Sequence, residues 1–350
     1  MINRKSNERK VYCSISNHLL SSEISEDKLN YKTYVKLLEY YDEIHIYGRV
    51  FQSKSHIKKD QFKNIFIHYI SVPKLSFFKY IFSIIKMFYT VIVDNKKYNF
   101  SIFDASEPTT GGIVCVCLTL FLKKPYILQI QGELTRLSVN NEVSLKTLLS
   151  KYITLFCIKY SSKVRAVSTI IKKQLIEDGV IASKIEVIPA RVDLKQFNYK
   201  KYLNVDLKKD YNIQIDKKVF VFVGRLVEGK GVKYMIEAFT HIEKYKFHLL
   251  IIGDGIVKNK LVNLTKTLNL KNNITFVGKV EFDRVPYFMY GADFFIFPTL
   301  HEGFGRVVLE SIAMRTLVLA SRVGGIQDII IDKVNNDLKI LFPKGRNLPM

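Results

Sequence analysis

The short apolar runs of this chain constrain its fold more than any other feature. Val11–Ile15, Ile44–Tyr47, Ile65–Ile70, Ser101–Phe103, Tyr126–Ile130, Val164–Val167 and Ile185–Ile188 punctuate the first half. Val219–Val223, His248–Ile252, Ile274–Val277, Phe294–Phe297 and Leu317–Ala320 punctuate the second. The runs are continuous rather than alternating, as in parallel strands buried on both faces. Longer helix-like segments separate them. Strand–helix alternation throughout predicts an α/β fold of two doubly wound, Rossmann-like domains. With 350 residues the chain can build two cores. The polar, Lys-rich stretch Asn198–Lys218 reads as the linker, between a first domain over 1–197 and a second over 219–350.

Charge narrows the partners. The formal net charge is +22 and is spread along the chain rather than held in a tail. Such a surface favours anionic partners: nucleotide-sugars, anionic lipid headgroups or nucleic acid. No nucleic-acid module and no basic tract interleaved with stacking aromatics is present, so no nucleic acid is expected. Cys13, Cys115, Cys117 and Cys157 lie inside apolar runs without Cys-x-x-Cys or Cys/His ligand spacing. They read as reduced core thiols, with no metal and no disulfide framework. The polar N-terminus lacks a signal-peptide core. Of the two longest apolar stretches, Leu75–Val93 is interrupted by Lys79 and Lys86, and Ile113–Leu122 is too short to span a bilayer. The expected location is cytoplasmic, with the inner face of the membrane as an option. Leu75–Val93 is either a helix packed on the sheet or a peripheral membrane contact.

In doubly wound sheets ligands bind outside the carboxyl ends of the strands. After Val219–Val223 comes Gly224-Arg225-Leu226-Val227-Glu228-Gly229-Lys230-Gly231. Gly224 permits a sharp turn. Arg225 and Lys230 offer the forked guanidinium and the point-charge ammonium that suit a diphosphate; the plainer reading is two surface cations. After Phe294–Phe297 comes Pro298-Thr299-Leu300-His301-Glu302-Gly303-Phe304-Gly305-Arg306, then a helix carrying Glu310. Gly303 and Gly305 free the backbone where orphan N–H groups form an anion site. Glu310 lies among Val307, Val308, Leu309, Ile312 and Ala313, where a carboxylate is costly without a partner. Either ribose hydroxyls supply that partner or Glu310 occupies a narrow solvated stripe.

These segments, VGRLVEGKG, FPTLHEGFGRVVLE and VGGIQDII, resemble the signature of the retaining glycosyltransferases of the GT-B fold, family 4, in order and at normal spacing. Glu302 and Glu310 match the Glu-x7-Glu pair, and Gly324 and Gly325 the Gly-Gly turn. The likeness runs from about Ser162 to Asp332 and includes AVSTIIKKQLIEDGV and VIPARVDLKQF. It implies two Rossmann-like domains facing across a cleft, the first for the acceptor and the second for the donor. Arg225 and Lys230 would hold the donor diphosphate, assisted by backbone N–H groups from Gly303, Phe304 and Gly305. Glu302 would contact the donor sugar, Glu310 the ribose, and Val280 would lie near the base. Glu302, Arg225 and Lys230 are thus the expected catalytic set, with Gly224 completing the donor loop. The family needs no metal and no cofactor, and no Asp-x-Asp motif appears.

The implied activity is transfer of a sugar, with retention, from a UDP- or GDP-sugar to a glycan or lipid-linked acceptor in cell-surface polysaccharide synthesis, such as lipopolysaccharide or capsule. The first half departs from the family pattern. The Gly-rich turn after the first strand is absent, and Gln131 stands where relatives often have His. Gln131 and Glu133 are the expected acceptor contacts, and Gln cannot act as a base. After Asp332 the chain reads as truncated relative to the family. These departures sustain an alternative, a catalytically weak or inactive nucleotide-sugar-binding relative. A sugar-nucleotide epimerase of similar fold is a third reading, opposed by the intact Glu-Gly-Phe-Gly…Glu run.

Overall fold

The structure, a computed structural model, describes residues 9–19, 34–51, 60–72, 79–132 and 145–330. Glu133 and the chain after Ile330, where the truncation was expected, lie outside the described residues. The described chain forms two compact units, one of 9–132, 145–166 and 172–188, the other of 167–171 and 189–330.

The first unit runs β1 (Val11–Leu19), β2 (Glu43–Phe51), β3 (Asp60–Phe62), β4 (Ile65–Val72), α1 (Lys79–Tyr98), β5 (Ile102–Ala105), α2 (Thr110–Leu122), β6 (Tyr126–Ile130), α3 (Leu145–Tyr160) and β7 (Lys163–Ala166). Then come α4 (Thr169–Glu177), which begins among the residues of the second unit, and β8 (Ile185–Val187). The sheet order is β3-β4-β2-β1-β5-β6-β7-β8. All neighbours pair in parallel except β3 with β4. The strands fill the unit's interior with Val11, Cys13, Ile44, Ile65, Phe103 and Leu128. A buried carboxylate, Asp104, is satisfied there by Gln129 at 2.7 Å, whose own Oε1 accepts from Arg165 at 3.0 Å. Cys13, Cys115 and Cys157 are buried and Cys117 half-buried, all as free thiols.

The second unit runs α5 (Leu207–Asp210), β9 (Lys218–Val223), α6 (Val232–Ala238), β10 (Phe247–Ile252), α7 (Lys258–Thr267), β11 (Ile274–Gly278), α8 (Val285–Gly291), β12 (Phe294–Phe297), α9 (Arg306–Ala313), β13 (Leu317–Ala320) and α10 (Ile326–Ile329). Its wholly parallel sheet has the order β11-β10-β9-β12-β13. β10 is buried at every position, as a central strand covered on both faces must be.

All twelve expected strands are present. β3 is the additional one, a three-residue polar edge. The stretch 198–218, read as a linker, is folded into the second unit: Leu207 and Ile213 are buried in its core beside Phe197. The division therefore falls at Ile188/Pro189 rather than after 197. Among the described residues no helix is long and apolar enough to cross a membrane.

Candidate active site

In the second unit the strand order reverses direction between β9 and β12, which lie side by side although separated in sequence. The carboxyl ends of strands at such a switch point form a crevice. Both predicted chemical loops start there, 224–231 from β9 and 298–305 from β12.

The two loops are joined by backbone. Leu300 N–H donates to the Gly229 carbonyl at 2.9 Å, and the Thr299 hydroxyl reaches the same oxygen at 3.1 Å. The approach is too close for a side chain at Gly231, whose φ is +67° and where a Cβ would stand 1.9 Å from the Pro298 carbonyl oxygen. Gly253, φ +138°, passes as tightly under Gly224, with a Cβ position 1.9 Å from its carbonyl oxygen. The Gly253-Asp254-Gly255 turn after β10 thereby supports the first loop, and Leu226 N–H donates to the Asp254 carbonyl at 2.9 Å. Sequence reading passed over this turn, although its Gly-Asp-Gly after an apolar strand was a visible signal. Gly325 presses on the second loop from β13: its N–H donates to the Glu302 carbonyl at 3.3 Å, and a Cβ would lie 2.5 Å from the Gly303 carbonyl oxygen. Gly325 of the Gly-Gly turn is thus a steric need of the loop beneath it.

With the loops pinned, Lys230 and Glu302, 72 residues apart, form an ion pair of 2.6 Å. Both side chains are about four-fifths covered, and the Lys230 ammonium also lies 4.9 Å over the Phe297 ring. Arg225 is exposed and makes no side-chain hydrogen bond or ion pair among the described residues. Its guanidinium stays available to an incoming anion at the mouth of the loop.

α9 starts directly after Gly305, whose φ of +88° sets the entry of the helix. Gly303 and Phe304 are buried, so the amide groups of this turn are held rather than swept by solvent. Glu310, just over one turn into α9, is 4% exposed. Arg306 Nε comes within 3.1 Å of its Oε1. That ion pair is close but poorly directed, and Glu310 Oε1 accepts no well-aligned hydrogen bond. Burial pushes the Glu310 carboxyl above the usual glutamate range, and Arg306 opposes the shift. The carboxylate is buried and under-satisfied, not part of a solvated stripe. A donor at this point, such as a hydroxyl pair, would complete its shell. Arg306 was not singled out in the sequence.

Val280 is half-buried after β11 and packs on the core of this unit. It lies beyond the outer strand of the sheet, two strands away from β9. In the first unit, Gln131 is exposed after β6 and donates to the Ser106 carbonyl at 3.2 Å. A connection between distant segments also appears near α10: Asp328 accepts from the Thr169 N–H at 2.6 Å and from its hydroxyl. No sequence signal pointed to it, since the partners are 159 residues apart.

Comparison with known proteins places this geometry. The family model described as glycosyl transferases group 1 matches residues 205–345. An uncharacterized glycosyltransferase of Methanocaldococcus jannaschii is 30% identical over 294 residues, covering 81% of this chain and 75% of that protein. An N-acetylgalactosaminyltransferase of Campylobacter jejuni, whose name specifies a diphospho-undecaprenol substrate, is 31% identical over 144 residues, 41% of this chain and 34% of that protein. Among solved structures, sucrose-phosphate synthase from Thermosynechococcus elongatus superposes with a TM-score of 0.76 at 17% identity, covering 93% of this chain and 84% of that one. HepE of Anabaena, solved with UDP and glucose, gives 0.69 at 16% identity with the same coverage. At such identities the structural likeness speaks for the fold, which is GT-B. The archaeal relative, aligned over most of both sequences, carries the assignment further: this chain belongs to the glycosyl transferases group 1 family.

Proposed function

We propose that the chain transfers a sugar, with retention of anomeric configuration, from a UDP- or GDP-sugar to a glycan or lipid-linked acceptor in cell-surface polysaccharide synthesis. The observation that carries this reading is the buried Glu310 carboxylate, whose Oε1 accepts no well-aligned hydrogen bond, on the helix that follows the loop of the Lys230–Glu302 pair at one switch point. Arg225 and Lys230 hold the diphosphate, which competes with Glu302 for the Lys230 ammonium. Glu302, released, is free to take hydroxyls of the donor sugar. Glu310 accepts from the ribose hydroxyls, and Val280 lies against the base. The amides of Gly303, Phe304 and Gly305 add donors to the phosphate oxygens.

In the reaction the bond between the anomeric carbon and the diphosphate oxygen breaks, and its electrons go to that oxygen. The acceptor hydroxyl oxygen bonds to the same carbon from the face the leaving group vacates. The hydroxyl proton passes to the departing phosphate, so no protein base is required. Fixed positive charge at the leaving oxygen is the principal catalytic contribution, and Arg225 and Lys230 supply it without a metal. HepE binds UDP and glucose, and the Campylobacter relative acts on a lipid diphosphate; both fit this reading. Gln131, and Glu133 beyond it, are the proposed acceptor contacts, and the site of action is the cytoplasm at the inner face of the membrane.

A second reading, a nucleotide-sugar binder with little turnover, is favoured by Gln131, which cannot replace an imidazole in proton transfer. Melting curves against UDP, GDP, ADP and CMP, and then sugar release from the matching conjugates, separate the possibilities. A nucleotide at about 100 times its Kd adds about 2.7 kcal/mol of stability. A shift with one nucleotide that disappears in Arg225→Ala and Glu310→Ala supports the donor site, and sugar transfer supports the enzyme. A cooperative melt that no nucleotide moves would sink both readings.

A further inference from the structure

Arg306 stands where a helix least favours a cation. It is the first residue of α9, and Glu310 lies four positions on. A cation in the first turn opposes the helix dipole, and an i, i+4 ion pair is weaker with the cation on the N-terminal side. Helix stability therefore does not account for Arg306. Its side chain is 44% exposed, so a hydrated cation stands against a buried carboxylate.

The guanidinium is held between two groups. Its Nε lies 3.1 Å from Glu310 Oε1, and its carbon stands 5.9 Å over the Phe282 ring, within reach of a cation–π contact. Phe282 is anchored in turn: its carbonyl accepts from Gln196 Nε2 at 3.0 Å, and its ring meets the buried Phe197 edge-on at 5.6 Å. A guanidinium keeps its charge wherever a carboxyl titrates. Burial disfavours the Glu310 carboxylate and Arg306 favours it; among the described residues no other charged group acts on it. Lys230 and Glu302, from the two loops of the crevice, are occupied with each other at 2.6 Å.

The ribose of a nucleotide offers two hydroxyl donors. An ionised carboxylate has about four acceptor positions and no donor, so it can take both hydroxyls and the guanidinium together. A protonated carboxyl gives up an acceptor position, adds a donor, and matches the diol less well. We infer that Arg306 is a positioning residue for the ribose site: its guanidinium is the fixed counter-charge that holds Glu310 as a double acceptor for the nucleotide's hydroxyls. The inference rests on the proposed reading of Glu310 as the ribose contact. Without Arg306, burial acts unopposed and Glu310 keeps its proton to higher pH. Nucleotide affinity is then lost first at the acid end and returns as pH rises.

The test compares full-length Arg306→Gln and Arg306→Lys with wild type by calorimetric titration with UDP, or with GDP if that nucleotide alone moves the melting curve. The ratio of variant to wild-type affinity cancels the ligand's own ionisation. Arg306→Gln should bind about fivefold or more weakly at about pH 6 and come within about twofold of wild type at about pH 9. Arg306→Lys, which keeps the charge, should recover most of the loss. With the dideoxy analogue, which lacks both ribose hydroxyls, the ratio should stay near unity throughout. A second readout needs no nucleotide: NMR of isotope-labelled glutamate carboxyls, with the Glu310 signal identified by its absence in Glu310→Gln. Its titration should move to higher pH in Arg306→Gln and return toward wild type in Arg306→Lys. An unmoved titration, an affinity loss independent of pH, or an equal loss with the dideoxy analogue, which would mark direct contact with the diphosphate, would each overturn the inference and spare the ribose reading. Full UDP affinity in Glu310→Gln, or binding of neither nucleotide, sinks the ribose reading and the inference with it.

Discussion

Glu310 shows at the residue scale how a group proposed for binding differs from a stabilising one. Its carboxylate is buried, and the Oε1 that Arg306 approaches accepts no well-aligned hydrogen bond. A buried acceptor without its hydrogen bonds costs about 1–3 kcal/mol, so Glu310→Gln should raise the urea midpoint of the ligand-free protein at neutral pH. The pH dependence has a definite sign. Burial raises the folded-state pKa of Glu310 above its unfolded value. The folded chain therefore binds more protons in that window, and stability falls as pH rises through it. The advantage of Glu310→Gln should grow with pH above the ordinary glutamate range and vanish below it. Denaturation curves at several pH values check this, and an advantage independent of pH would show that the charge is not the cause. The same variant should lose most of its UDP melting shift. Gly231 makes the opposite case, a residue required by space alone. Gly231→Ala should cost more than about 3 kcal/mol, because positive φ and a backbone collision combine. Gly229→Ala, two residues earlier in open space, should stay within about 0.5 kcal/mol of wild type. Similar losses in both would mean that the loop tolerates no change, whatever the geometry.

Strands carried most of the legible information. A strand such as Phe294–Phe297 is apolar from end to end, so its bounds in sequence and structure coincide. β1 instead runs on to Leu19 through Ser16, Asn17 and His18; pairing with β2 resumes at Leu19 after a register shift, without an apolar pattern to announce it. β3 (Asp60–Phe62) is short and polar at an edge, below the reach of any periodicity. The 198–218 stretch looked like a linker because its lysines outnumber its anchors, yet Leu207 and Ile213 suffice to bury it. In the candidate site, loop composition singled out Arg225, Lys230, Glu302 and Glu310. The Lys230–Glu302 pairing and the Arg306 contact depend on how strands sit in the sheet and how a helix is turned, which composition does not encode. One element also carries a pH signal that no motif reveals. His248 in β10 is buried, accepts or donates to the Thr275 hydroxyl at 2.9 Å, and has its pKa lowered to about 4 by burial and by Lys217. The unfolded chain then binds the extra proton between about pH 6.5 and about 4. Stability contributed by neutral His248 is complete above that window and is lost as pH falls through it. His248→Gln, which keeps a partner for Thr275, should flatten the acid limb of the stability profile. An unchanged limb would shift the sensitivity to His45 in the first unit, whose pKa burial also lowers.

For the whole molecule, net charge makes a prediction that no single contact makes. A chain of formal charge +22 surrounds its sites with a positive potential that concentrates anions and speeds their arrival. Salt screens that field beyond about 10 Å at about 0.1 M, whereas a diphosphate seated on Lys230, as proposed, would be screened much less. UDP affinity should therefore fall by roughly tenfold between about 0.05 and 0.5 M NaCl, mostly through slower association. UMP, with less charge, should respond more weakly. Arg225→Ala separates the field from the contact: it removes a single charge from a large excess, so affinity should drop at every salt concentration while the slope largely persists. Titration calorimetry of wild type and variant across that salt range measures both quantities. If the variant loses the slope along with the affinity, the salt dependence belongs to one guanidinium at the mouth of the loop, and the lysines spread over the rest of the surface serve some partner other than the nucleotide.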